Sequence, residues 1–583
     1  MSNVRWQRVT VLAVVLTAAL LGGCQSRTEV SATGNTPAQY THVFLTINQI
    51  WFNTSATAAP TDTSWVKFTL PAPATVDLVS LNNGTLSQFA SDLKLNAGTY
   101  AQVMVVLADS TDSLSSSAGT AGAASNDEVD YLDADEVTHS VPLAILNAAQ
   151  GISISTSLTV AATATSISSA IGSGSGATTG DTTGTTTITT SSSPTPASAS
   201  VANPAVSTTA TMIDFDATRD LLPISLSGQP AFALNPHPQN FDAKSSGSIQ
   251  GAVSLATVST LTTADLPDVQ VSAEALSSDG TRHVIVKTTR VDSSGNFTLY
   301  PLSTASGAPT AYDLVIHGPT IETVIIKSVP VATGAPGTGT AQLGALNLTP
   351  ATAFLVNLSS TSPATPTSSL VGFYQTLPLS AEVPYAVETR ALDPISGLFA
   401  SDQALSGGSV QYGSYVSGGT ISLTSANPTE GAASYSVGAL NPAFGAAALG
   451  TTVRSPGNTT TTALFTMSSP ALPTGSSANA IAGTVSVTST AAYNNAQLFL
   501  TYHGALVATA SLNAYLGQSQ SALALAGVAP GGTPGSIYAA GVYNAEIWAW
   551  NSADPTGTLT RLPLTTTIDM SAGNASGVTL NIQ

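Results

Sequence analysis

Charge is scarce in this chain. Of its 583 residues 8% are Asp, Glu, Lys or Arg, against roughly a quarter in an average soluble protein. Positive charge is scarcer still, with 14 Lys and Arg against 32 Asp and Glu and a net charge of −18. Nucleic acids and anionic lipid surfaces are recognised by clustered Lys and Arg, so neither is expected as a partner. Cys24 is the single cysteine, which removes intrachain disulfides, thiolate metal sites and a catalytic thiol from the chain beyond it. Several catalytic signatures are missing as well. No Lys directly follows a Gly, so there is no phosphate-binding loop of the Gly-Lys-Ser/Thr type. The six histidines (His42, His139, His237, His283, His317 and His503) include no pair at metalloprotease spacing, and no Gly-x-Ser-x-Gly elbow occurs. These absences argue against an enzyme; a hydrolase with a site assembled from distant residues is the form that would escape such a search.

Ser, Thr, Ala and Gly take the place of the missing charges, and the first patterned feature is an address. Arg5 and Arg8 precede an apolar run from Val9 to Leu21, well short of the roughly 20 residues that cross a bilayer as a helix. A basic stub, a short apolar stretch and small residues before a cleavage point make a secretory signal over residues 1–23. Leu21-Gly22-Gly23-Cys24 resembles the bacterial lipobox, which implies lipidation of Cys24 and a membrane held through an N-terminal lipid anchor. Loss of Arg5 and Arg8 takes the charge of −18 to −20, so acyl chains rather than basic side chains must do the anchoring. Gln25, rather than Asp, follows the anchor, which by resemblance to a Gram-negative sorting rule favours the outer membrane over the inner. Residues 24–37 are polar and read as a tether.

The remainder reads as all-β, several β-sandwich domains in series joined by Ser/Thr/Gly/Pro-rich linkers. Runs such as Thr41 to Phe52 and Ala101 to Leu107 are dense in β-branched and aromatic residues, and Asn, Asp and Gly turns punctuate them. The ordered series His42-Val43-Phe44-Leu45-Thr46-Ile47, Val76-Asp77-Leu78, Ala97-Gly98-Thr99-Tyr100, Ile213-Asp214-Phe215-Asp216-Ala217-Thr218-Arg219 and Phe232-Ala233-Leu234-Asn235-Pro236 resembles a bacterial lipoprotein domain, domain-of-unknown-function family 4382. That resemblance covers residues 38–242 and implies a β-rich extracytoplasmic domain without an assigned activity. Within it, residues 172–206 carry one charge and no aromatic residue, a composition that cannot offset the entropy of ordering. Residues 247–331, with Gly247-Ser248-Ile249-Gln250-Gly251-Ala252-Val253 and the turns at Asp279-Gly280 and Ser294-Gly295, resemble a carboxypeptidase regulatory-like, transthyretin-like β-sandwich. A linker at 332–340, a β-rich domain at 341–467, a second linker at 468–480 and a sandwich-like domain at 481–583 complete the expected order. The last opens with Ile481-Ala482-Gly483-Thr484-Val485, an echo of Ile249 to Val253 that hints at a repeat.

Two constellations stand out. Between Asn126 and Glu136 lie six carboxylates in a chain otherwise poor in them. Such a run reads first as a solvated acidic turn. Its second reading is a hard-cation site, with Asp127, Asp130, Asp133 and Asp135 as candidate Ca²⁺ ligands, though the spacing lacks the Gly and terminal Glu of an EF-hand loop. The other constellation is Tyr543 to Trp550. Alternate residues of a strand share a face, so Tyr543, Ala545, Ile547 and Ala549 fall on one side and Asn544, Glu546, Trp548 and Trp550 on the other. With the first face in the core, two indoles beside a carboxylate and an amide would lie outside as a platform for a sugar ring. The rival arrangement buries the indoles, which carry the larger hydrophobic gain. The sequence thus points to a non-catalytic, lipid-anchored envelope protein, carbohydrate-binding or adhesive and without a cofactor other than Ca²⁺. The alternative is a structural spacer. A polysaccharide or an envelope protein is the expected partner.

Overall fold

A computed structural model of the chain describes residues 25–133, 135, 137–146, 151–161, 208–226, 229–236, 238–255, 261–336, 341–360, 370–391, 403–441, 445–446, 451–454, 461–465, 481–487, 493–502, 505–518, 521–525, 542–553, 559–563 and 567–582. The signal at 1–23, Cys24, the insertion at 172–206 and the linker at 468–480 lie outside the described residues. The described fold is all-β and consists of sandwiches.

The first unit contains β1 (Gln25–Asn35), β2 (Tyr40–Asn53), β3 (Val66–Asp77), β4 (Ser87–Asn96), β5 (Gly98–Leu107), β6 (Glu128–Leu132), β7 (Thr138–Ile145), β8 (Ile152–Val160), β9 (Thr208–Asp216), β10 (Leu221–Leu226), β11 (Gln229–Leu234) and β12 (Gln239–Asp242). One sheet runs β12-β9-β1-β4 and the other β10-β11-β7-β6-β2-β5-β8, with β3 added on β2. Side chains such as Val43, Leu45, Leu95, Val103, Ile213 and Phe215 fill the space between them. The expected tether is therefore corrected. Residues 25–35 form an inner strand, antiparallel to β4 and parallel to β9. Ser26, Thr28, Val30 and Ala32 turn inward and are fully buried, whereas Arg27 points out to pair with Asp92 at 2.8 Å. The two flanking strands satisfy the backbone groups of β1; Ser26 Oγ donates to the Ala161 carbonyl, and Thr28 Oγ1 is buried without a partner.

The second unit comprises β13 (Ser246–Leu255), β14 (Gln270–Leu276), β15 (His283–Arg290), β16 (Asn296–Ser303), β17 (Ala311–His317), β18 (Thr323–Pro330) and β19 (Ala341–Leu348). The third has β20 (Ala353–Ser360), β21 (Leu370–Gln375), β22 (Tyr385–Ala391), β23 (Gln403–Ser406), β24 (Val410–Ser414), β25 (Thr424–Ala426), β26 (Ser434–Asn441), β27 (Gly445–Ala446), β28 (Thr451–Arg454) and β29 (Thr461–Phe465). The fourth has β30 (Ile481–Val487), β31 (Asn495–Tyr502), β32 (Ala505–Ser511), β33 (Ser521–Leu525), β34 (Val542–Trp550), β35 (Leu559–Pro563), β36 (Ile568–Asp569) and β37 (Ala575–Ile582). Two expected boundaries move. β19 pairs in parallel with β13, so residues 341–348 belong to the second sandwich and do not open a new domain. β24 pairs with β18, so the hairpin β24–β25 extends the second unit's larger sheet.

A common plan underlies all four units. Each opens with a strand that ends up inside the smaller sheet, flanked by one antiparallel strand and by a later strand in parallel: β4-β1-β9, β16-β13-β19, β23-β20-β29 and β33-β30-β37. The short echo in the sequence has its cause here. Register slips at Gln250/Ala252 against β19 and at Ile481/Gly483 against β37. A Cβ at Gly483 would stand 1.8 Å from the Val578 carbonyl oxygen, and one at Gly251 would stand 2.5 Å from the Phe297 ring. At Gly483 only glycine lets the two backbones pass, and at Gly251 the missing side chain leaves room for the Phe297 ring.

Nor are the units beads on a flexible string. β12 leads through Ala243–Ser245 directly into β13, and Lys287 of the second unit forms a buried ion pair with Asp214 of the first. Asn83 Oδ1 accepts from the Thr298 amide at 3.2 Å across the same junction. Val315, Ile325, Leu377, Tyr385 and Val410 make an apolar contact between the second and third units. Among the described residues no helix is long and apolar enough to cross a membrane.

Candidate functional site

The acidic run does not assemble. Asp127 is fully buried, with Oδ1 accepting the Thr46 amide at 2.8 Å and Oδ2 lacking a partner. Burial pushes its pKa well up, and Asp109 and Asp112 push the same way, over the opposing Thr46 bond. Glu128 turns the other way to accept the amides of Ala124 and Ser125, both at 2.9 Å. Asp130 lies on β6, paired with His42. Asp133 closes the turn, accepting the amides of Asp135 and Val137 and facing His139 Nε2 at 2.7 Å. Asp135 is exposed. The strand period of two sends neighbouring carboxylates to opposite sides, and among the described residues no group of three or more His, Cys, Asp or Glu is placed to hold a metal ion. The expected Ca²⁺ set, Asp127, Asp130, Asp133 and Asp135, is thus spread over separate local roles.

The indoles require a second correction. Tyr543, Ala545, Ile547 and Ala549 do enter the fourth unit's core. The opposite face is nevertheless covered. Trp548 is 0% exposed and Trp550 7%, and both pack with Phe499 and Leu506 against Ala144, Leu146, Leu222, Ile224 and Ala233 of the first unit. Trp548 Nε1 donates to Glu546 Oε1 at 2.9 Å, and its ring lies 4.3 Å from that of Phe499. Asn544 is also buried. Arg561 secures the same contact, donating to the Ile145 carbonyl at 2.9 Å and pairing with Asp109. What looked like an outward platform for sugars is the seam between the first and fourth units.

A different arrangement meets the description of a site. A cleft of ≈140 Å³ opens where the first three units converge. Its first wall is the turn after β9. Asp216 caps the short helix Ala217–Asp220, its Oδ1 accepting from the Thr218 amide at 3.0 Å and from Asn35 Nδ2 at 3.2 Å. This turn delivers Arg219 toward β22, with its Nε 3.2 Å from Asp220 Oδ1. The second unit supplies Gln270, Thr288 and His317, and the third Tyr374, Glu388 and Thr389. His317 Nδ1 stands 3.4 Å from Glu388 Oε2, and Arg390 Nε 3.1 Å from Glu388 Oε1. The floor (Asp216, Gln270, Thr288, His317, Tyr374 and Glu388) is buried, while Thr218, Arg219, Val284 and Thr389 form a half-buried rim.

Burial governs the electrostatics. It raises the Asp216 pKa, with Asp220 and Asp214 adding to the effect and Arg219 opposing it. It also lowers that of His317, because Glu388 only partly offsets burial and Arg390 adds to it. Burial works against Arg219 too, but Asp220, Asp216 and Asp214 outweigh it and hold that pKa above the usual value. The lining consequently offers hydrogen-bond donors and acceptors whose charges largely answer one another. The reading of the sequence missed this cleft. Its trace was Asp214, Asp216, Arg219 and Asp220 crowded into one short segment of a chain otherwise short of charge.

No curated protein matches the chain. Among solved structures, it is similar to the major pilin subunit of Bacillus cereus at 10% identity, over 58% of this chain and 99% of that one, with a TM-score of 0.11. A streptococcal ancillary pilin matches at 13% identity over 58% and 99%, with a TM-score of 0.12. The pilus adhesin SpaC of Lactobacillus rhamnosus GG matches at 12% identity over 61% and 46%, also at 0.12. Residues 27–236, which begin inside β1 and end just after β11, match the family model described as "Domain of unknown function (DUF4382)".

Proposed function

We propose that this chain is a non-catalytic, lipid-anchored protein of the cell envelope, held at the outer membrane through Cys24 and serving as a structural or adhesive block. The observation that carries the reading is the way the units are joined. Buried ion pairing at Asp214–Lys287, the shared sheet at β18–β24 and the indole seam at Trp548 fix each unit to another. A protein built to hold or present something at a distance needs such fixed joints, whereas a turnover cycle does not. The acidic balance of −18 supports a partner other than nucleic acid, and an envelope protein or polysaccharide fits it. The test is made on whole cells. Radioactive palmitate should label the wild-type protein and not Cys24→Ala, and protease added to intact cells should degrade it. An unlabelled protein free in the medium overturns the anchor. Protection from protease until the outer membrane is breached overturns display at the surface.

A further inference from the structure

We propose that the cleft between the first three units binds one neutral sugar ring, met either as a free hexose or as the end of a glycan chain. Size sets the first limit: ≈140 Å³ is well below the roughly 300 Å³ at which pockets for drug-sized ligands begin, leaving room for a single ring. Charge sets the second. Arg219 is answered by Asp220, Glu388 by Arg390 and, just behind, Asp214 by Lys287. The remaining acid, Asp216, accepts from the Thr218 amide and Asn35 and is pushed by burial toward its neutral form. A ligand bearing a full charge would have to be buried there without a counter-ion, which is costly. A neutral polyol meets no such cost. Its hydroxyls both donate and accept, and the floor presents both functions through the Gln270 amide, the Thr288 hydroxyl, the His317 ring and the Glu388 carboxylate. With Nδ1 facing Glu388 Oε2 at 3.4 Å, a neutral His317 ring directs its N–H to that carboxylate and leaves Nε2 as an acceptor. Val284 on the rim and Ala386 give the lining an apolar part for the C–H face of a sugar.

Three units must be docked for these side chains to meet, so the seams described above are what create the site. The proposal depends on the surface reading only for where the sugar is encountered. The cleft itself is tested on purified protein, and either idea can fail alone. Calorimetric titration of the detergent-solubilised full-length protein would use glucose, galactose and mannose, with glucuronate and glucosamine as charged counterparts and the methyl glycosides as mimics of a chain end. At about 10 mM a ligand with a Kd of about 1 mM is about nine-tenths bound. At least one hexose should give saturable 1:1 heat. Thr389→Val should weaken it about tenfold, the cost of one hydrogen bond lost to a rim hydroxyl. Val284→Trp, which fills the cleft from its half-buried rim, should abolish it with the melting temperature kept. A methyl glycoside bound as well as its parent identifies a glycan end, and binding lost on methylation identifies the free sugar. No heat with any of the three hexoses, tighter binding of glucuronate or glucosamine, or binding unaffected by both Thr389→Val and Val284→Trp overturns the proposal.

Discussion

Replacing Trp548 with alanine should release the fourth unit from the first. A buried Trp removes roughly 150–250 Å² from water. Phe499 of its own unit lies against one side of the ring, so about half of that area is assigned to the first unit. At about 25 cal/mol per Å², this share is worth about 2–3 kcal/mol. One factor of ten corresponds to about 1.4 kcal/mol, so the seam should stand open roughly 20 to 200 times more often. Hydrogen exchange reads this directly. Leu222 and Ile224 of β10 and Ala144 of β7 lie under the indoles, and peptides covering them should lose protection in Trp548→Ala, although the substitution is more than 300 residues away in sequence. Peptides from β2 and β5, in the heart of the first sandwich, should keep theirs. If exchange in β7 and β10 is unchanged while the fourth unit alone loosens, the indoles serve only their own sandwich and the assignment of the seam is wrong.

Two further substitutions probe the buried charges. Lys287→Met should destabilise the chain by about 3–5 kcal/mol in urea, since it leaves Asp214 buried without its cation; adding Asp214→Asn should recover most of the loss, and a double variant no better than the single would refute the pairing. Glu274 is buried with Oε2 accepting the Ala386 amide at 3.1 Å, and burial drives its pKa well above the usual carboxylate value. The folded chain therefore keeps a proton there that the unfolded chain has released. The resulting stability is complete below the ordinary carboxylate range and is lost as pH rises toward the folded value. Glu274→Gln should flatten that decline and raise the melting temperature at neutral pH, whereas a parallel downward shift at every pH would show that the carboxylate is needed charged.

The architecture was legible in proportion to how much large apolar side chains defined it. The β2 and β5 strands announced themselves through Val, Ile, Phe and Leu. β1 did not, although its alternation was present: Ser26, Thr28, Val30 and Ala32 inward, with Arg27 outward. A period of two built largely from hydroxyls and a methyl looks like a polar leash until neighbouring strands are in place. In β34 the sequence left open whether the Tyr543, Ala545, Ile547 and Ala549 face or the indole face was buried; both are, because a single strand carries no information about what another domain lays over its far side. The acidic run divided between its readings. Asp133 and Asp135 lie in the turn that was its first reading, whereas Asp127 and Glu128 are buried and the extended backbone disperses the carboxylates of the second. The cleft was beyond reach because His317, Glu388 and Asp216 meet only after three sandwiches have docked.

The plan shared by the four units has a kinetic consequence. In each, the strand synthesised first has its parallel neighbour near the end of the same unit: Arg27 waits for Thr208, Ile249 for Ala341, Val356 for Thr461 and Ile481 for Ala575. Contacts of such long range make folding slow and leave sheet edges open meanwhile. A nascent unit cannot close behind itself while it is still being made. Each inner strand therefore keeps one edge unpaired until its closing strand has been made.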